Sequence, residues 1–312
     1  MIVDVHTRIW ESADQLGQAV SEQLRRHYQQ PWDRPTASLT AHDQAMAPVD
    51  HAIILGLHSE LLGARIDHEK VAEYVRRDPG SYIGFAGIDP TAGDVIASLQ
   101  RAVELGLEGV VISPAAQGFH PADSRAEPLY AACEKRGLPI LVESGALFAR
   151  QARMEFDQPY LLDEVARAFP ELRLVLTSLG DPWIDQGLAL TAKHPTVFAD
   201  LSEIMRRPWP LYNALLRAYQ RGVIGQIVFG SNFPFLTPEH AIVNIYSVNT
   251  LIQGTHLPSV PREQLRSIVE RDTLRCLGLN EDRPAPKRRQ TAATTPDAGK
   301  PFERVVVKDI ES

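Results

Sequence analysis

The chain has 312 residues, 44% apolar and 23% charged, a composition ordinary for a globular protein and too apolar for a disordered one. That length allows two domains or one large α/β barrel, and a formal net charge of -7 gives no electrostatic attraction to nucleic acid or an anionic membrane. Only two cysteines, Cys133 and Cys276, exclude both a disulfide scaffold and a multi-thiolate metal site.

The opening MIVDVHTRIW carries no basic segment ahead of an apolar one, and no apolar run approaches the roughly 18 residues that span a bilayer, so a cytoplasmic protein is expected. Strand-like runs of β-branched and aliphatic residues follow one another at 2–6, 51–57, 82–88, 108–113, 139–143, 172–177, 196–201 and 226–230. Between them lie apolar residues at helical spacing, such as Val71-Tyr74-Val75, Val95-Leu99-Val103, Leu161-Leu162-Val165-Phe169 and Leu211-Leu215-Leu216-Tyr219. Several of these segments begin after helix-starting residues: Asp67, Asp89-Pro90-Thr91, Pro121-Ala122-Asp123, Asp181-Pro182 and Pro208.

Eight strands alternating with helices predict an α/β fold, a single-domain (β/α)8 TIM-type barrel over residues 1–279. An open doubly wound sheet is the alternative, but no glycine-rich phosphate loop opens any of the helices. From Asn280 the chain is rich in proline, charge and small polar residues, which predicts a disordered tail over 280–312. Within it, Phe302 and the three valines at 305–307 make 302–310 either a strand that adds to a partner's sheet or a frayed terminus.

A barrel of this kind places its site at the carboxyl ends of the strands. The residues there are His6, Thr7 and Arg8, then His58, Ser59 and Glu60, then Asp89, Ser113, Glu143, Ser144, Thr177 and Ser178. Asp200, Ser202, Glu203, Ser231 and Asn232 complete the ring. Asp200, Ser202 and Glu203 either line the pocket or cap the next helix. His58 and His120 fall in loops, and Trp183 and Trp209 either frame the mouth or pack helices on the barrel.

The segments Val3-Asp4-Val5-His6, Gly84-Phe85-Ala86-Gly87-Ile88-Asp89-Pro90 and Gly118-Phe119-His120-Pro121-Ala122-Asp123 stand in a telling order with those that follow. They precede Pro128-Leu129-Tyr130, Gly137-Leu138-Pro139-Ile140, Leu179-Gly180-Asp181-Pro182-Trp183 and Phe229-Gly230-Ser231-Asn232-Phe233-Pro234. In this order, from Met1 to about Leu279, the chain resembles the amidohydrolase-related family, in its branch of metal-dependent hydrolases and decarboxylases of carboxylated aromatic or lactone-like compounds. The resemblance implies one divalent metal such as zinc, a small-molecule substrate in the barrel pocket, and a homodimer.

The departures from the family pattern fall on its metal ligands. The first of its paired histidines is His6, but the second position is Arg8. Glu143 and Ser178 stand where the family has histidines, Asn232 stands in place of its aspartate, and the lysine of some relatives falls at Val111. A guanidinium stays protonated and cannot ligate, a serine hydroxyl is a poor zinc ligand, and a carboxamide cannot accept a proton as a general base must. His6 and Glu143 alone could still coordinate, against the roughly three protein ligands of a catalytic zinc.

Three readings stay open. The chain is a metal-free, catalytically degenerate barrel that binds a small molecule or regulates a partner, with His6, Arg8, Glu143, Ser178 and Asn232 lining its pocket. It is an active hydrolase or carboxy-lyase of the family. Or it is a metal-free enzyme with Glu143 or His6 as acid and base. Charge complementarity further predicts an Arg8–Glu143 ion pair, with Ser178 and Asn232 satisfying its remaining donors and His6 its free carboxylate oxygen.

Overall fold

Strands buried on both faces need apolar residues at consecutive positions, and that is what each predicted run supplies. The computed structural model describes residues 1–27, 35–144, 149–279 and 283. Its central sheet has seven parallel strands: β1 (Val3–Thr7), β2 (His51–Leu55), β5 (Tyr82–Gly87), β6 (Gly109–Ile112), β7 (Ile140–Val142), β8 (Leu174–Leu176) and β9 (Val197–Ala199), in that order. Alternate residues, among them Val5, Ile53, Phe85, Val111, Leu141, Val175 and Phe198, meet in the barrel interior. Their neighbours, such as Ile54, Val110, Ile140, Leu174 and Val197, pack outward against the helices.

The eighth predicted strand, 226–230, does not form a laddered strand. The segment after Gln226 instead closes the ring through isolated contacts, one to β9 and three to β1 and the residue after it. Val228 N–H donates to Ala199 O (2.9 Å) and Val5 N–H to Phe229 O (2.9 Å), while Asn232 N–H donates to His6 O (2.9 Å) and Arg8 N–H to Phe233 O (3.1 Å). The turn at Asn232, with φ of 64°, interrupts the extended backbone that a full ladder requires. The predicted run 51–57 also breaks, at Gly56. Leu57–Ser59 (β3) leaves the barrel and pairs antiparallel with Ala64–Ile66 (β4), so His58 lies on a hairpin strand rather than in a loop.

Of the helix starts, Asp89 proves a turn residue, its carboxylate accepting from Thr91 N–H (2.9 Å) and Glu60 N–H (2.9 Å). The helix behind it, α4 (Val95–Glu104), is capped by Asp94, which accepts from Ile96 and Ala97 N–H (3.0 Å each). Three further helices concern the site. Gln18–His27 (α1) crosses the mouth of the barrel, and Ile184–Lys193 (α8) packs against β9 and the turn that follows β8. Thr273–Leu277 (α12) sends Leu274 and Leu277 into the interior cluster. The predicted tail and its segment 302–310 lie outside the described residues except for Arg283, whose buried guanidinium pairs with Glu108.

Two backbone features aim residues at the mouth. Between Asp4 and Thr7 the pairing of β1 with β2 shifts by one residue, a bulge that lets the consecutive residues Val5 and His6 both face the barrel axis. After β8, Ser178 and Leu179 take the left-handed conformation (φ 52° and 50°), which non-glycine residues rarely adopt. The turn is held by Asp200 and by the close approach of α8, where a Cβ on Gly187 would lie 2.0 Å from Leu179 O. Backbone cannot yield at that distance, so Gly187→Ala is expected to cost ~1–3 kcal/mol in denaturant unfolding. Gly225→Ala, with nothing within 4 Å of the added methyl, serves as the silent control.

Candidate functional site

The carboxyl ends of the strands surround a cavity of about 860 Å³. Its floor is polar, with His6, Arg8, Glu143, Ser178, Ser202, Glu203 and Asn232. Its upper wall is apolar: Trp10 and Leu16, then Val20 and Leu24 from α1, Leu57 and Leu62 from the hairpin, and Phe235.

The floor is organised by Asp200, fully buried just after β9. One carboxylate oxygen, Oδ1, accepts from Ser178 N–H (2.7 Å), Ser202 N–H (2.9 Å) and Ser202 Oγ–H (2.7 Å). The other, Oδ2, meets His6 Nδ1 at 3.0 Å. Ser178 Oγ bonds Ser202 Oγ (2.8 Å) and accepts from Glu203 N–H (2.9 Å). The carboxylate therefore takes Nδ1 of the imidazole, and no hydrogen bond engages Nε2 among the described residues, on a side chain that lines the cavity. Gly230 makes the approach possible, because a Cβ there would fall 2.9 Å from His6 Cβ and 3.1 Å from Asp200 Oδ2.

Across the floor, Arg8 Nη2 donates to Glu143 Oε1, with both side chains largely buried at 14% and 12% exposure. Arg8 follows β1 and Glu143 follows β7, the first and fifth strands of the ring, so the contact spans the barrel axis. The expected ion pair forms, but its expected supporters do not join it. Ser178 serves Asp200 and Glu203, His6 serves Asp200, and Asn232 Nδ2–H donates to Glu203 Oε2 (3.1 Å). Backbone geometry explains the difference: the left-handed turn and the bulge aim Ser178 and His6 at β9 instead. Glu203 is completed by Arg206 at 3.0 Å.

Of the remaining candidates, Ser59, Ser113 and Ser144 line the cavity. Ser144 is tied to Thr177, its N–H donating to Thr177 Oγ1 (2.9 Å) and its hydroxyl to Thr177 O (2.6 Å). His58 faces a separate small pocket beside Arg65 and His68, and burial pushes its imidazole below the usual range, with Arg65 adding to the effect. His120 takes part in a local turn, accepting from Ala122 N–H (3.1 Å). Trp209 is exposed on the outer surface. Val111 belongs to the apolar interior.

Sequence reasoning passed over Asp4 and the roof. Asp4 is fully buried beneath His6; Oδ1 accepts from His6 N–H (3.1 Å) and Ser231 N–H (2.8 Å), and Oδ2 has no hydrogen-bond partner among the described residues. Burial raises its pKa to about 6 against the opposing hydrogen bonds of Ser231. The roof had a signal, Val20 and Leu24 four residues apart in a helical register.

The donor set does not fit the divalent metal that the family implies. Among the described residues no three His, Cys, Asp or Glu side chains form a possible metal-ligand group. His6 Nδ1 is spent on Asp200, Glu143 on Arg8, and a permanent cation lies over the axis.

Two outcomes follow from these contacts. Arg8→Met or Glu143→Leu alone strands a buried charge and is expected to cost ~3–5 kcal/mol in urea unfolding, with the double variant regaining most of it. Because Asp4 binds its proton more tightly in the folded chain than unfolded, its contribution to stability is present below pH 4 and is lost as pH rises through 6. Asp4→Asn is therefore expected to be more stable than the parent above pH 6, by at most ~3 kcal/mol, with the difference vanishing toward pH 4 in parallel denaturation curves.

A family model described as Amidohydrolase matches residues 3–269. No curated protein matches the chain. Among solved structures, an uncharacterised TIM-barrel protein of Bordetella bronchiseptica is similar over 89% of this chain and 98% of its own, with 20% identity and a TM-score of 0.70. A probable 2-pyrone-4,6-dicarboxylic acid hydrolase of Acinetobacter baumannii covers 89% and 99%, at 14% identity and TM-score 0.62. The 5-carboxyvanillate decarboxylase of Sphingomonas paucimobilis covers the same shares, at 14% identity and TM-score 0.58. At these identities the neighbours establish the TIM-barrel fold, while the family model spans most of the sequence: the chain belongs to the amidohydrolase family.

Proposed function

We propose that this amidohydrolase-family barrel is a small-molecule-binding module in which metal-dependent hydrolysis and decarboxylation have been lost. The observation that carries the reading is the Arg8–Glu143 pair across the barrel axis. A guanidinium keeps its proton and repels a dication, and its partner carboxylate is no longer free to ligate. Asn232 adds to this, since a carboxamide has no proton-accepting role to offer in place of an aspartate. What remains is a cavity large enough for a small molecule, with an apolar wall and a few fixed polar groups.

The hydrolase and decarboxylase relatives act on carboxylated compounds by their names, and these supply the assay. Purified chain is expected to hold less than one equivalent of zinc or manganese. It is also expected to turn over neither 2-pyrone-4,6-dicarboxylate nor 5-carboxyvanillate, with or without added divalent ion. Turnover that chelation abolishes and a divalent ion restores would sink the proposal.

A second reading, a metal-free enzyme, is favoured by one observation: His6 is oriented by a buried carboxylate, as a general acid or base must be. Glu143 is the weaker candidate for that role because Arg8 holds it. Turnover indifferent to chelation and lost in His6→Gln would select this reading. Residues 1–279 are taken as one domain. The free thiols of Cys133 and Cys276 support a reducing compartment such as the cytoplasm, and no helix among the described residues is long and apolar enough to cross a membrane.

A further inference from the structure

We propose that the cavity selects an uncharged molecule carrying a hydrogen-bond donor, whose hydrogen is accepted by His6 Nε2 while its apolar body lies under α1. The inference rests on the reading of the cavity as a binding site and names the class of its occupant.

The first ground is charge. Among the described residues four arginines line the cavity, and each already has a carboxylate: Arg8 with Glu143, Arg206 with Glu203 (3.0 Å), Arg207 with Asp181 (2.5 Å) and, more loosely at the rim, Arg26 with Glu22 (4.0 Å). Each guanidinium charge is thus already opposed, so a carboxylate ligand would compete with one of these partners or enter with no net counter-charge, and a desolvated charge without a partner is expensive. Arg8 Nε is unpartnered among the described residues but has no exposed surface to offer a ligand. A cation meets the same obstacle, since the lining carboxylates Glu143 and Glu203 are each engaged. A neutral molecule displaces nothing.

The second ground is the tautomer that Asp200 imposes. A carboxylate only accepts, so a neutral His6 carries its single ring hydrogen on Nδ1, facing Oδ2, and leaves a lone pair on Nε2. The one unengaged polar atom of the His6–Asp200 pair is thus an acceptor. Around it the wall supplies Trp10, Leu16, Val20, Leu24 and Phe235, which suit an apolar body.

Three probes of one bicyclic size separate the possibilities by calorimetry: indole (a neutral donor), indanone (a neutral acceptor) and indole-carboxylate (an anion). The parent chain is expected to bind indole about threefold to tenfold more tightly than indanone, the ratio one neutral hydrogen bond sustains, and indole-carboxylate at least about tenfold more weakly than indole. Asp200→Asn then tests the route. Oδ1 already accepts three hydrogens, so the new amide keeps its oxygen there and presents NH2 to His6 Nδ1. The ring hydrogen moves to Nε2, and the variant is expected to prefer indanone over indole.

Indole-carboxylate binding more tightly than indole overturns the inference and leaves the cavity a binding site. An unchanged order in a folded Asp200→Asn removes His6 as the reader. If that variant does not fold, the comparison within the parent chain still decides. No binding of any probe at millimolar concentration overturns both the inference and the binding reading beneath it.

Discussion

One buried carboxylate holds the floor of this barrel together. Asp200 has no exposed surface, and a carboxylate taken out of water without partners would carry a penalty of several kcal/mol. It is satisfied instead by two donors distant in sequence, His6 on β1 and Ser178 after β8, and by one nearby, Ser202 two residues on. The two distant donors are where they are because of backbone departures. The bulge in β1 turns His6 inward, and the left-handed turn at Ser178 and Leu179 brings an amide hydrogen to Oδ1. Strain of that kind persists only where the surroundings over-determine it. Here the carboxylate above and α8 behind do so, α8 being able to approach because residue 187 has no side chain.

The ion pair beside it follows a different logic. A buried pair of opposite charges contributes little net stability, because desolvation offsets attraction, but either charge alone would be strongly destabilising. Arg8 and Glu143 are therefore mutually required where they meet across the barrel axis. The consequence for chemistry is larger than that for stability. A dication recruits and polarises oxygen; a guanidinium already bonded to a carboxylate orients neighbours and excludes other cations.

The barrel and the ring of strand-end residues were legible because they follow from patterns that sequence carries directly. Apolar runs alternate with helical spacing, and parallel strands end at one rim. The Arg8–Glu143 contact was legible from charge complementarity between two such ends. The partners of His6, Ser178 and Asn232 were not, and the reason is local. A one-residue bulge between Asp4 and Thr7 reverses which side chains face inward, and two consecutive non-glycine residues at positive φ have no compositional signature. The eighth strand was misread for the same kind of reason: 226–230 has strand-like residues, but the turn at Asn232 lets it close the ring only by isolated contacts. Asp4 looked like part of a motif, and only burial reveals it as a carboxyl held near neutrality.

These features connect into one constraint on what the cavity can do. With Arg8 fixed over the axis, Glu143 is held close to it. Asn232 donates to Glu203, which also takes Arg206. Among the described residues the floor's guanidinium groups are thereby matched, Arg8 by Glu143 and Arg206 by Glu203, while the Asp200 carboxylate is held by His6, Ser178 and Ser202. The imidazole of His6 is the exception in kind, being polar, oriented from behind and open in front. A site so arranged discriminates by hydrogen-bond polarity rather than by charge, because reversing a single proton on one ring changes its answer, whereas adding charge to the ligand requires breaking pairs that the fold itself needs.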